Sequence, residues 1–411
     1  MNDQFPQHAP LTQFPVQENC LQIGGIPLTW LAQRVGVTPF YAYDRQKITE
    51  RIALLRQHLP VDVLLHYAMK ANPMPAVVQH LASLVDGIDV ASTGEMKVAL
   101  DTIISAESIS FAGPGKKPHE LSCAIAAGIV LNAESELEIE LIAQLGEQLG
   151  VAPKVAIRVN PEFELKSSGM KMGGGPKPFG IDAENVPEVL MRVGKLGLHF
   201  VGFHIFCGSQ NLNAIAICEA HTKIFQLGIR LADHAPSPIR LLNIGGGFGV
   251  PYFPGEKALN LAVIGENLQN LMSDLQQQLP ETRIALELGR YLVAEAGIYV
   301  CRILERKQSR GQVYLITDGG LHHHLAASGN LGQVVRKNYP VIIGNKVQGS
   351  DTEIVSVVGP LCTPLDVIAE RMRMTKASAG DLVVVLQSGA YGLTASPTAF
   401  LNHPLPMEVL V

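Results

Sequence analysis

Up to about residue 290, short apolar β-rich runs recur along the chain, each followed by a segment long enough to carry a helix. They are VLLHYAM (63–69), GIDVAS (87–92), SISFAG (108–113), GIVLNAE (128–134), KVAIRVN (154–160), HFVGFHIFC (199–207), IRLLNIG (239–245) and RIALELG (283–289). Segments such as PAVVQHLASLV and LAVIGENLQNLMSDLQQQL carry helical spacing between them. Alternating strands and helices favour a parallel sheet, so eight such units predict an α/β fold, a closed (β/α)8 TIM barrel, with a doubly wound open sheet as its rival. After Val293 the runs GIYVCRILERK, QVYLITDGG, EIVSVVGPLC and DLVVVLQSGAYG alternate and are joined by turns. They predict a mostly antiparallel β domain over 295–411, with the barrel at 46–294. The first 45 residues, with TPFYAYD as an added strand, are assigned to the β domain. The glycine-rich stretch ELKSSGMKMGGGPKPFG (164–180) lacks apolar periodicity and reads as a long loop over the barrel mouth.

The polar residues add a second pattern. Lys70, Asp89, Arg158, Ser209, Gly245, Gly246, Gly247 and Glu287 stand at or just beyond the C-terminal ends of these runs. In a barrel those ends form the face where active sites are built, so distant residues would converge on one mouth. Composition then narrows the class. The 411 residues are 47% hydrophobic and 17% charged with a formal net charge of −5, which allows a large core and leaves no electrostatic footprint for nucleic acid. The six cysteines are scattered, without a CxxC pair or a disulfide framework. The amino terminus has no leader pattern, and no apolar run approaches the ~20 residues needed to span a bilayer. A cytoplasmic enzyme without a membrane partner is the expectation.

Three features carry candidate chemistry. In LNIGGGFGVPYF a strand runs into three glycines, whose backbone N–H groups could form a nest for phosphate or merely a tight turn. The third glycine of a dinucleotide fingerprint would fall at Val250, and GPGKK (113–117) lacks the spacing of a P-loop. Lys70 is either an ordinary strand-terminating lysine or a desolvated amine held for covalent chemistry. Glu287 is either an ion-pair partner of Arg290 or the group that keeps a pyridine nitrogen protonated. Taken together beside a phosphate site, the lysine and the glutamate suggest pyridoxal phosphate, bound as a Schiff base.

The motifs YAMKAN, DVASTGE, RVNP, GSQ, GGGFG, ELGR, GPLC and SGAYG occur here in the order found in fold-type III pyridoxal-phosphate-dependent decarboxylases, the diaminopimelate and ornithine decarboxylase group. The chain resembles that family from about residue 36 to its end. Through GMKMGGGPKPFG, DGGLHHHLAASGN and GPLCTPLD it looks closest to exosortase A system-associated decarboxylases, and it is similar to those acting on carrier-protein-linked glutamate. The resemblance implies an alanine-racemase-like barrel, a C-terminal β domain and a homodimer with shared active sites. It implies that Lys70 binds the cofactor aldehyde and Glu287 the pyridine nitrogen. Ser209, the three glycines, Arg290 and Tyr391 would surround the phosphate, with Asp89 and Arg158 among the cofactor contacts. Cys362 would enter the neighbouring subunit's site and protonate the intermediate after carbon dioxide leaves.

Two positions depart from the family pattern. Where a histidine stacks on the cofactor ring, this chain has Phe206, and His204 lies two residues earlier, expected on the same strand face. Where an acidic residue follows the catalytic cysteine and meets the substrate's distal amine, this chain has Thr363 and then Pro364. Free diaminopimelate, lysine or ornithine is therefore a poor expectation, and an amino acid or carrier-tethered aminoacyl substrate is kept open, with an acyl carrier protein as possible partner. Asp366 remains as a candidate acidic contact, and Arg290, Arg336, Tyr339 and Tyr391 as candidate substrate contacts. The triplet His322, His323, His324 is not expected to bind metal, because neighbours on a strand point to opposite faces. Lys166, Lys171 and Lys177 would guide an anionic carrier or simply line a solvated loop. The readings that compete with a decarboxylase are an amino-acid racemase of the same barrel class, a non-catalytic cofactor-binding protein and a sugar- or nucleotide-phosphate enzyme.

Overall fold

The structure, a computed structural model, describes residues 8, 9, 12–166, 169–331, 333 and 336–411. The chain divides into two compact units, one of 51–250 with 258–291, the other of 1–50 with 251–257 and 292–411.

The first unit is a closed parallel barrel. Its strands are β1 (Leu64–Ala68), β2 (Gly87–Val90), β3 (Ile109–Phe111), β4 (Val130–Ala133), β5 (Lys154–Asn160), β6 (His199–His204), β7 (Leu241–Gly246) and β8 (Arg283–Leu288). They pair in the order β5-β6-β7-β8-β1-β2-β3-β4, and β4 pairs again with β5 to close the ring. All eight apolar runs read from the sequence are strands, and the open-sheet rival falls because no edge remains. The helices between them begin where the chain supplies its own caps. Ser92 Oγ accepts the Glu95 N–H at 3.2 Å, and Ser135 Oγ accepts the Glu138 N–H at 3.2 Å. Each glutamate reaches back to a backbone N–H just before its helix, the reciprocal arrangement that starts a helix firmly.

The second unit is built on an eight-stranded sheet, six of whose strands form one continuous path. These six are β9 (Gly297–Ser309), β10 (Gln312–Thr317), β11 (Val341–Ile343), β12 (Thr352–Val358), β13 (Val367–Thr375) and β14 (Leu382–Val385), in the order β11-β14-β9-β10-β12-β13. All pairs along the path are antiparallel except β10 with β12. Phe40–Tyr43 adds to β9 antiparallel, and Met407–Leu410 lies parallel to Phe40–Tyr43. Phe40, Ile298, Val300, Leu382 and Val384 form the core beneath. The span read as barrel is interrupted, since 251–257 belongs with this unit. Aromatic packing and an amide explain it: the Tyr252 ring lies 4.6 Å from Tyr339, and Gln387 Nε2 donates to Pro251 O at 2.9 Å.

In β6 the register against β5 slips between Phe200 and Gly202, and Gly202 takes φ 154°. A Cβ there would lie 1.8 Å from Leu241 O on β7. Gly202→Ala is expected to destabilise the barrel by about 2–4 kcal/mol, read as a lowered urea midpoint.

Candidate active site

The strand ends bring Lys70 and Glu287 together. β1 stops at Ala68, and the single turn Met69–Ala71 lifts Lys70 over the barrel mouth. Its Nζ lies 3.8 Å from Glu287 Oε1 and 5.4 Å from the centre of the Phe206 ring. The lysine side chain is 45% exposed, so it is not the desolvated amine that an apolar pocket would hold. The turn frees it to the mouth while Glu287, one residue from the end of β8, stays buried. Burial is the largest influence and pushes the Glu287 carboxyl up, but the His204 hydrogen bond and the nearby charges of Lys70 and Arg158 together outweigh it, and the group sits at about 2.

The glycines serve close approach. Gly246 faces Glu287 across the β7–β8 pair, and a Cβ on it would lie 2.0 Å from Glu287 O. Gly247, at φ 80°, would place a Cβ 2.2 Å from Gly208 O, beside Ser209. Only glycine lets this loop and the Ser209 loop share the same small volume. The nest is narrower than the triplet suggests, because the Gly245 N–H donates to Asn243 Oδ1 at 2.9 Å. Arg290 opens the short helix Arg290–Val293 directly after β8.

His204 and Phe206 meet different members of the Lys70–Glu287 pair. β6 ends at His204, two residues before Phe206. His204 turns to Glu287, with Nε2 3.0 Å from Oε2, while Phe206 stands by Lys70. Arg158 is in register with His204, but its guanidinium is held by Glu134 Oε1 at 2.7 Å and lies 5.1 Å from the Phe179 ring. Asp89 Oδ1 lies 3.2 Å from His66 Nδ1 and accepts from Ser110 Oγ at 2.5 Å, and Asn132 donates to that hydroxyl at 3.0 Å. Asp89 Oδ2 is buried without a partner among the described residues. His66, Ser110, Asn132, Glu134 and Asn243 were not anticipated as part of this layer. The signal was present, since each is a polar residue embedded in an apolar run.

The long insertion is stitched to the same mouth. Met170–Lys171 pairs antiparallel with Gly208–Ser209, and the N–H groups of Met172 and Gly173 donate to Cys207 O. Lys166 spends its charge on Glu219 at 2.9 Å, Lys177 is half-buried, and the Lys171 side chain lies outside the described residues.

The remaining candidates belong to the β unit. Cys362 is exposed in the loop between β12 and β13, and Tyr391 is half-buried with φ 52°, an uncommon conformation for a bulky residue. Three residues expected to meet the substrate have partners within the unit. Arg336 donates to Ser328 O and Val367 O, both at 2.5 Å. Tyr339 is buried against Tyr252 and His324. Asp366 is 2% exposed and accepts the backbone N–H groups of Leu321 at 2.7 Å and Leu361 at 2.9 Å. The histidine triplet lies past the end of β10 in a turn, so the opposite-face argument does not apply to it. His322 and His323 pack ring to ring at 3.7 Å, and His324 Nε2 lies 2.9 Å from Ser388 Oγ. Burial pushes His322 and His324 down to about 3 and His323 to about 4, so the cluster is neutral.

The barrel residues therefore fit pyridoxal 5′-phosphate: an accessible amine for an aldehyde, an ionised carboxylate for a ring nitrogen, an aromatic ring beside them, and a glycine cradle for a phosphate. Residues 45–294 match the family described as pyridoxal-dependent decarboxylase, pyridoxal binding domain. The chain is 40% identical over 383 residues to the L-glutamyl-(BtrI acyl-carrier protein) decarboxylase of Niallia circulans, covering 91% of this chain and 88% of that one. It is 32% identical over 394 residues to a diaminopimelate decarboxylase of Aquifex aeolicus, covering 95% and 90%. Its structure is similar to that of a diaminopimelate decarboxylase from M. jannaschii in co-complex with L-lysine, with TM-score 0.88, 25% identity and coverage of 97% and 92%.

Because the Glu287 carboxyl lies below its ordinary value, its ionised form stabilises the fold fully above about pH 4.5, and that contribution is lost as pH falls towards 2. Glu287→Gln should therefore cost most stability near neutrality. Urea midpoints of the variant and the natural chain should converge as pH falls from about 4.5 to about 2.

Proposed function

The chain belongs to the family of pyridoxal-dependent decarboxylases and is thus a carboxy-lyase that works with pyridoxal 5′-phosphate; from this premise we propose that its substrate is an aminoacyl group tethered to a carrier. The racemase, non-catalytic and sugar- or nucleotide-phosphate readings lose their support, since the named relatives are decarboxylases. One observation carries the substrate proposal. The segment GPLCTPLD contains a single acidic residue, Asp366, and its carboxylate is buried on two backbone N–H groups. Withdrawing it to meet a substrate ammonium would strand those donors, at a cost of about 1–3 kcal/mol each. Thr363, beside Cys362, offers no charge. A substrate with a distal ammonium finds no counter-charge in this loop, whereas one whose distal end is an acyl linkage needs none. The relative from Niallia circulans acts on an L-glutamyl acyl-carrier protein, which agrees with that reading.

The roles follow in our reading. Lys70 supplies the amine that anchors the cofactor, Glu287 faces the ring nitrogen, and Gly246, Gly247, Ser209 and Arg290 hold the phosphate. The cofactor, when bound, supplies an aldehyde for the substrate amine and a ring that accepts the electron pair left when the bond from Cα to the carboxylate breaks. Carbon dioxide leaves, and Cys362 of the partner subunit delivers a proton to Cα, which makes a homodimer the working form. Asp89, whose Oδ2 is buried with no partner among the described residues, is a further barrel group suited to a cofactor contact.

Purified protein loaded with cofactor should release carbon dioxide from glutamate on an acyl carrier protein and not from free lysine, ornithine, arginine or diaminopimelate. Release from a free basic amino acid at a comparable rate would overturn the substrate proposal. Lys70→Ala should lose the visible absorbance of bound cofactor after desalting; a retained band would remove Lys70 from its role. Cys362→Ala should slow turnover by roughly 10²-fold or more while cofactor binding persists, as for loss of a positioned proton donor.

A further inference from the structure

We propose that His204 is a positioning residue that acts through Glu287, holding this carboxylate ionised and in one orientation so that its free oxygen serves the cofactor's ring nitrogen. The inference rests on the reading of Glu287 given above and assigns His204 a place behind that carboxylate, not a direct contact with the cofactor.

The geometry leaves little freedom. His204 Nε2 lies 3.0 Å from Glu287 Oε2, with side chains 3% and 6% exposed. His204 Nδ1 is also buried and has no partner among the described residues. Two neutral tautomers are possible in principle. A proton on Nδ1 would strand an N–H in the interior and set the Nε2 lone pair against a carboxylate. A proton on Nε2 donates to Oε2 and leaves only a bare lone pair buried. The second is the stable arrangement, so His204 donates to Glu287.

That bond divides the two carboxylate oxygens. Oε2 is occupied by the imidazole, while Oε1 lies on the side of Lys70, whose Nζ is 3.8 Å away. Lys70 cannot be the lasting support for the charge, since its amine is the group proposed to anchor the cofactor. Arg158 cannot replace it at hydrogen-bond distance, because Glu134 holds its guanidinium. His204 is the partner whose bond to Glu287 the chemistry does not redeploy. Its position at the last residue of β6 is set by the register with Arg158 on β5 and Asn243 on β7, so the donor is carried by two paired strands.

The test compares His204→Ala, His204→Gln and Glu287→Gln as full-length protein. Three quantities are read: the dissociation constant for pyridoxal 5′-phosphate by equilibrium dialysis, the pH midpoint of the bound cofactor's visible band, and the melting temperature of the cofactor-free protein. His204→Ala should weaken cofactor binding roughly tenfold, as for loss of one charge-assisted hydrogen bond, and shift the band's pH midpoint. His204→Gln, which retains an N–H donor, should recover most of both effects. An unchanged dissociation constant and midpoint in His204→Ala, with Glu287→Gln altered, overturns the role of His204 alone. No change in Glu287→Gln overturns the reading of Glu287 and this inference together. Equal defects in the alanine and glutamine variants, accompanied by equally lowered melting, would assign His204 to packing and overturn the proposal.

Discussion

A carboxylate inside a barrel must be met by donors and opposite charge, or it takes up a proton. Glu287, 5% exposed, is that carboxylate, and the architecture of the barrel mouth follows from keeping it ionised. His204 comes from β6, Lys70 from the turn after β1 and Arg158 from β5, so three elements distant in sequence must hold a common register around β8. Gly246 lets β7 lie directly against the Glu287 backbone, where any side chain would collide. An uncompensated charge at such depth costs several kcal/mol, whereas an exposed pair such as Lys166 with Glu219 is screened by water and contributes little. The buried set therefore decides the shape of the mouth, and the surface pairs do not.

Around that carboxylate the barrel carries a second polar layer. Glu134 gathers the Arg158 guanidinium and the N–H groups of Gly113 and Gly180, tying the ends of β3, β4 and β5 to the insertion. His66, Asp89, Ser110 and Asn132 form a chain across β1, β2, β3 and β4. A half-satisfied network in a low-dielectric interior would weaken the fold, which is why these groups bond to one another and few are left over. The leftover atoms are informative for the same reason. Asp89 Oδ2 and His204 Nδ1 are the buried atoms of this layer with no partner among the described residues, and they lie on residues already tied to the site by geometry.

Several parts of the molecule were legible before folding. The strand positions were legible because each run is a short β-rich stretch bounded by turn residues. The barrel was legible because helices recur between them. Lys70 and Glu287 were legible as polar residues at strand ends beside a glycine run, where burial without chemistry is hard to justify. The resemblance carried Cys362 and Tyr391, for which residue type alone offers no argument. What stayed hidden depended on partners brought by other strands. Nothing in GFHIF distinguishes a histidine facing a ring from one facing a carboxylate, and nothing in DGGLHHHL shows that the triplet leaves the strand.

Sequence by itself determined the alternation of strand and helix, the glycines that permit close backbone approach, and the absence of any acidic side chain next to Cys362, because these are properties of local chain chemistry. Tertiary structure decided which polar groups are available. Asp366, Arg336 and Gly245 carry suitable groups in the sequence, yet Leu361, Val367 and Asn243 spend them within the fold. A donor or acceptor can serve a ligand only when no neighbour has already claimed it, and neighbours are assigned by folding.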